Sequence, residues 1–277
     1  MSNWETILFW ASLVVYSLVC GGFIYSIVFK NSRALPKLTA LLAVGLLLHS
    51  GAIAARFAST GHLPWSGDYE YALMGGWFIT AGSLLVAWRN KELQPLAAAT
   101  VPLVVVMMGY GVMRNPTLTP MAASLKTGWL YIHVYFAWLA FCSYTLAMAS
   151  GVLYLLKEKS QDAASHPVYL VFPSLERLDE LTFRFVVFGF ITDSIMLVAG
   201  SIWAEGLWGS YWSWDPVETW SLISYLIYGV TIHLRITMGW KGSKQAWLVI
   251  AALSSVIISF FGVTFVVNTS LHAFQVR

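Results

Sequence analysis

Several stretches of about twenty residues in this chain, Ile7 to Val28 among them, carry almost no charge, and that is the length a helix needs to cross a hydrocarbon layer of about 30 Å. The strands of a membrane barrel would instead alternate apolar and polar side chains over about ten residues, and no such alternation appears. Composition agrees, since 58% of the 277 residues are hydrophobic and only 10% charged, against about a quarter charged in a soluble domain. The expected fold is all-α, a polytopic integral membrane bundle.

The apolar pattern predicts eight transmembrane helices in a single membrane domain over residues 1–277, near 5–29, 37–58, 70–88, 94–113, 129–156, 184–203, 216–239 and 245–268. Pro36, Pro64, Pro95, Pro116, Pro120, Pro167, Pro173 and Pro216 fall at or near the proposed ends, where breakers belong. The first span follows MSNWET without a basic leader or a small-residue cleavage site, so it reads as a retained helix rather than a signal peptide. One set of loops holds twelve cations: Lys30, Arg33, Lys37, Arg89, Lys91, Lys157, Lys159, Arg177, Arg184, Arg235, Lys241 and Lys244. The opposite set holds four: Arg56, Arg114, Lys126 and Arg277. The positive-inside rule puts the first set in the cytoplasm and both termini on the outer side. The net charge of +3 is then a matter of topology and not a nucleic-acid footprint. Residues 157–183, with mixed charge, read as a cytoplasmic connector. Cys20 and Cys142 stand alone inside predicted helices, with no CxxC pair and no zinc pattern, so thiol chemistry must be supplied by another protein.

Residues 203–220 read WAEGLWGSYWSWDPVETW and hold five of the fourteen tryptophans. An interfacial aromatic belt spreads over all helix ends, whereas this cluster is confined to one external loop, residues 203–216, between the sixth and seventh helices. His133 lies one turn into the fifth helix at the same outer end, and His272 just beyond the eighth. Two imidazoles facing across a gap suit the axial positions of a haem iron, and flat aromatic walls suit a porphyrin; a solvated interfacial role accounts for either histidine alone. His233 is about 25 Å into the seventh helix at 1.5 Å per residue, near the cytoplasmic side, and an ionisable group inside a span points to function. His49 sits nearer mid-depth, while His62 and His166 lie in loops. Arg56, Asp68 and Glu70 are explained by ion pairing and turn formation as well as by substrate contact. Asp193, midway along the sixth helix, admits a structural or a functional hydrogen bond. Asp215 before Pro216, with Glu218 behind it, has the pattern of a capped helix start.

The segment WGSYWSWDP followed by ETW resembles the tryptophan-rich, Asp-terminated WWD segment of the haem-handling proteins of cytochrome c maturation. IYGVTIHLRITMGWKG and VVNTSLHAF extend the likeness to the CcsA/ResC family, the membrane subunit of a two-component cytochrome c synthase. It covers a core over residues 129–275, and ARFASTGHLPWSGDYEY is similar to the family over residues 50–77. The resemblance implies haem transport to the outer face and thioether-forming attachment to apocytochrome c, a lyase-type activity. It makes His133 and His272 the axial ligands of a haem b held there, as substrate and bound ligand. Trp203, Trp208, Trp212 and Trp214 with Asp215 form its platform, and Trp220 opens the next helix. His233 becomes a ligand of a second haem within the membrane, opposed by a histidine of a CcsB/ResB-type partner. Other implied partners are an apocytochrome bearing Cys-x-x-Cys-His, a thioredoxin-like thiol reductant and membrane lipid; nucleic acid is not expected. Val217 stands where this family is expected to carry a Lys.

The implied location is the bacterial inner membrane with the active face periplasmic, or a thylakoid membrane with the corresponding lumenal face. Two rival functions are a subunit delivering haem to a chaperone in a multi-component pathway and a dihaem, quinone-linked electron-transfer subunit. The first type usually has about six spans and lacks a His233 equivalent. The second pairs histidines at both levels, and only His233 sits at the inner level. A polar-solute transporter would need Gly/Pro-broken helices near the midplane, and none is evident.

Overall fold

A computed structural model describes residues 1–29, 31–65, 67–114, 116–117, 125–160 and 172–263. It is helical without a strand among these residues. The helices are α1 (Asn3–Val28), α2 (Leu35–Thr60), α3 (Asp68–Arg89), α4 (Ala97–Val112), α5 (Gly128–Ser160), α6 (Leu175–Trp208), α7 (Pro216–Thr237) and α8 (Ser243–Ile257). Short 3-10 turns precede α2 and α4, and α8 ends in a π-turn, Ile258–Gly262.

Seven of the eight helices are long and apolar enough to cross a membrane, all but α7. That helix has the length, at 22 residues, but Ser221, Ser224, Tyr225, Tyr228, Thr231 and His233 dilute its apolar content. Apolar side chains such as Ile7, Val14, Leu18, Leu47, Leu85, Val106, Val198 and Trp247 are exposed around the outside, which is the surface a bundle presents to lipid. The chain is a multi-pass membrane protein.

Several predicted boundaries move. The sixth helix was expected over 184–203 but runs from Leu175 to Trp208, because Ser174 caps its start by accepting a hydrogen bond from the Arg177 amide at 3.1 Å. At its other end Gly209 adopts a left-handed φ of 71° that closes the helix. Trp203 and Trp208 therefore belong to α6, and the external loop shrinks to residues 209–215. The connector of 157–183 shrinks likewise, since α5 continues to Ser160 and α6 begins at Leu175. The expected eighth helix converts to a π-turn at Ile258, and residues 264–268 lie outside the described part.

At the end of the bundle bearing the tryptophan loop, a buried ionic cluster ties α1, α2 and α3 together. Arg56, 2% exposed, pairs with Glu70 at 2.8 Å and with Glu5 at 3.4 Å. It also donates to the Pro116 and Thr117 carbonyls, and Tyr69 donates to Glu5 at 3.0 Å. The ion-pairing reading of Arg56 and Glu70 is what the structure has; Asp68 pairs with Arg114 at 3.1 Å. The opposite end is clasped by Arg235 on Asp179 at 2.6 Å and by Lys157, which donates to the Phe172 and Pro173 carbonyls.

Removing one member of a buried ion cluster leaves the others uncompensated, at a cost of about 3–5 kcal/mol. Arg56→Ala is expected to lower the unfolding temperature in detergent by several degrees, read from intrinsic tryptophan fluorescence. A melting curve that superimposes on wild type would refute the role of this cluster.

Candidate functional site

The geometry of the site begins with how closely α5 and α6 approach. A Cβ at Gly200 would lie 2.5 Å from His133 Nδ1, and one at Gly189 2.5 Å from the Tyr144 ring. These two glycines, three turns apart on one face of α6, let side chains of α5 lie directly against its backbone. His133 uses the space to donate from Nδ1 to the Met196 carbonyl at 2.9 Å. A carbonyl accepts only, so the proton sits on Nδ1 and the lone pair on Nε2, the arrangement of a metal-ligating imidazole. The ring also stacks on Trp203, at 6.2 Å between centroids and 29° between planes.

His133 lines two abutting cavities. The main one has about 820 Å³ of unfilled space including its mouth, walled by Trp65, Tyr71, Trp138, Trp203, Val217 and Phe260 among others. The second, of about 400 Å³, lies under the loop and adds Gly200, Tyr211, Trp212 and Glu218. Trp203 is buried and packs on Trp208 at 5.5 Å. Trp212 meets Trp214 edge-on at 5.8 Å. Trp214, 69% exposed, has a φ of 60°, alone in the left-handed region among the described non-glycine residues. For a bulky side chain that costs of order 1–3 kcal/mol, and such strain clusters at binding sites.

The predicted residues therefore separate. His133, Trp203 and Trp212 come together on the cavities, and Val217 lines both of them. Trp208, Trp214, Asp215 and Trp220 line neither. Asp215 is spent on its helix: it accepts from the Val217 amide at 2.9 Å in a capping box with Glu218. Glu218 Oε2 in turn accepts from the Ser213 amide, the Ser213 hydroxyl and the Asp215 amide. His233 stands exposed near the far end of α7, on the same outward stripe as Leu226 and Val230. His49 is fully buried between α1 and α3, with its Nδ1 3.2 Å from the Tyr16 hydroxyl, and lines neither cavity. His62 Nδ1 donates to the Leu63 carbonyl. His272 and His166 lie outside the described residues.

Sequence reasoning missed the wall opposite the loop. Trp65, from the α2–α3 connection, is 7% exposed and packs on Tyr131 at 5.3 Å. Trp138 meets Phe260 of the π-turn at 5.0 Å, and Ser259 in the same turn reaches Ser221 of α7 at 3.1 Å. A signal existed for part of this. His133, Ala137, Phe141 and Tyr144 recur at helical spacing, so the face of α5 that carries His133 continues inward.

Gly200→Ala forces a methyl into the His133 ring. Overpacking of this kind costs about 1–3 kcal/mol, and the ring must leave the Met196 carbonyl. The expected outcome is a lower melting temperature together with faster modification of His133 by diethyl pyrocarbonate, mapped by peptide mass spectrometry. Unchanged modification kinetics would show that Gly200 does not set the imidazole.

Comparison with known proteins places this geometry. A family model described as cytochrome C assembly protein matches residues 65–271. The cytochrome c biogenesis protein CcsA of Prochlorococcus marinus (strain NATL2A) is 30% identical over 269 residues, covering 84% of this chain and 83% of that protein. CcsA of Porphyra purpurea is 29% identical over 291 residues, covering 90% of each, and CcsA of Guillardia theta 29% over 242 residues, covering 80% of each. Among solved structures, cytochrome c haem lyase CcmF superimposes with a TM-score of 0.69 at 20% identity, over 93% of this chain. This chain spans 46% of that longer protein, and the likeness is one of fold. With well over half of its length matched by the family model and CcsA proteins aligned along most of it, the chain belongs to the cytochrome c assembly protein family.

Proposed function

We propose that this protein holds haem b at the end of the bundle bearing the tryptophan loop and attaches it to apocytochrome c. The observation that carries this reading is His133: an imidazole with its proton committed to Met196, stacked on Trp203, at the junction of two cavities. The residues fit the group. The cavity walls are flat and aromatic, as a porphyrin requires, and the imidazole tautomer offers Nε2 to iron. His272 supplies the second axial ligand in this proposal. Lys and Arg predominate at the opposite end, so the positive-inside rule places the cavities on the outer face of a bacterial inner membrane or a thylakoid membrane.

Bound there, haem presents two vinyl groups. Each adds one thiol of a Cys-x-x-Cys-His segment, sulfur to one vinyl carbon and hydrogen to the other, with no leaving group. The chain's own contribution is positioning, which can supply several kcal/mol toward bond formation. His133 and Trp203 fix the plane, Trp65 and Trp138 close the opposite wall, and Trp212 covers the mouth. The thiols arrive reduced by a thioredoxin-like protein, since Cys20 and Cys142 are isolated and free. His233, exposed on the stripe of α7 with Leu226 and Val230, takes a second haem shared with a histidine of a CcsB/ResB-type subunit and passes it outward. Val217 puts an apolar side chain between the two cavities, so the cation expected at this position is absent from the propionate environment.

The test is to purify the complex with its partner and replace His133 with Ala. Losing even an outer-sphere partner of a metal ligand costs 10–100-fold, so haem content and cytochrome c maturation are each expected to fall about tenfold or more. An unchanged haem spectrum with maturation intact would sink the assignment. His233→Ala addresses the order of transfer: it is expected to deplete the outer site as well, since supply lies upstream. Normal loading of the His133 site in that variant would reverse the proposed direction.

A further inference from the structure

We infer that Asp193 is a proton-exchanging site in the middle of the membrane, reached from the tryptophan-loop end through the cavities that meet at His133. Beyond the main cavity lies a third, much smaller space of about 20 Å³ open to water, which shares with it Met196, Ser221, Ser259 and Phe260 and adds Tyr144, Asp193 and Ser224. The three spaces share walls in sequence from Trp212 at the loop to Asp193. Hydroxyls recur along them: those of Ser221 and Ser259 are 3.1 Å apart, and Ser224 lies one turn further along α7.

Asp193 is 5% exposed and has one hydrogen-bond partner among the described residues, the Tyr144 hydroxyl at 3.0 Å. No cation pairs with it there. Its titratable neighbours are Tyr144 from α5 and, from α7, Tyr228, whose ring stacks on Tyr144 at 3.5 Å and 7°. Tyr225 of α7 is engaged by Ser194, and the π-turn contributes only the Ser259 hydroxyl. The Tyr228 hydroxyl, on the ring stacked against Tyr144, is fully buried with no hydrogen-bond partner among the described residues. A carboxylate in such a place is costly unless it is hydrated, and a polar cavity of this kind holds water that makes two to four hydrogen bonds. Water along the serines gives Asp193 a path to exchange its proton with the outside, and an ionisable group in a span is a functional group by default.

The consequence for the proposed reaction, which rests on the haem reading, is charge compensation. When bound ferric iron gains one electron from a one-electron reductant, the ionised Asp193 carboxylate gains one proton through this path, so the cavity takes up no net charge.

Two measurements test this, and only the second needs haem. Infrared spectra of the haem-free protein from about pH 5 to about pH 9 are expected to contain a protonated-carboxyl band that titrates, shifts on transfer to D2O and is missing in Asp193→Asn. Ser224→Leu, which fills the path but leaves the carboxyl, is expected to slow that exchange about tenfold or more. A carboxyl band unchanged in Asp193→Asn, or one that fails to exchange, overturns the proposal, and a band that responds to sodium instead of pH replaces it with a cation site. In the haem-loaded complex, the midpoint potential is expected to fall with rising pH in wild type and to flatten in Asp193→Asn. Equal slopes in both overturn the coupling. A complex that binds no haem sinks the haem reading alone and leaves the infrared result standing.

Discussion

The contact between α5 and α6 is the constraint from which the functional half of the molecule follows. In lipid no hydrophobic force draws helices together, so close packing through small residues has to do it. Gly189 and Gly200 provide that on one face of α6, and between them stand Asp193 and Met196. Each glycine admits a ring from α5, Tyr144 at one and His133 at the other. The same close approach that holds the two helices therefore also sets the imidazole tautomer and seats the acid beside a phenol. Once α5 and α6 are locked in this register, α7 and α8 have to close over a face that is already polar, and they answer with Ser221, Ser224, Tyr228 and Ser259.

That division of labour explains why α7 is the least apolar helix of the eight. It has polar residues on the side toward α5 and α6, and apolar residues, with His233, on the side facing out. A span built this way is costly alone in lipid and is stabilised by its neighbours: the capped start at Asp215, the stack of Tyr228 on Tyr144, and the Arg235–Asp179 pair at the far end. In the other half of the bundle the Glu5–Arg56–Glu70 cluster and the Tyr16–His49 contact join α1, α2 and α3 into a support on which Trp65 is carried to the cavity.

How much of this could be read from the residues depends on the range of the interactions involved. Spans were legible because the bilayer thickness sets a length that composition reports directly, and seven of the eight starts fall within three residues of the expected positions. The start of α6 at Leu175 was not, since its first turns are amphipathic and charged, with Arg177 and Asp179 paired to other elements and Glu180 to Arg177 within the helix. His133 and the tryptophan cluster were recognisable as a motif, yet the assignment of Trp203 and Trp208 to a loop failed because a left-handed Gly209, and not the first tryptophan, ends the helix. Trp65 and Trp138 could not be assigned at all. Their place on the cavity comes from tertiary packing between residues far apart in the chain, and neither has a local pattern to mark it. Asp215 was legible both as part of the platform and as a helix cap, and the structure has the cap.

The charge balance of the cavities is the last step. Among the described residues lining the two larger cavities the one formal charge is Glu218, and its carboxylate is held by three donors at the start of α7, where the helix dipole offsets it. Val217 beside it adds none, and the walls further in are aromatic. A cavity of that character favours an occupant whose own charge is small or compensated, since a bare charge in a low-dielectric space is expensive. Met196 links the two ends of the answer: its carbonyl fixes His133, and its side of α6 leads within one turn to Asp193. In the proposed reading, the imidazole of α5 that meets the occupant and the carboxyl of α6 that adjusts the local charge are thus set by one helix–helix contact, and any shift in the α5–α6 register would disturb both.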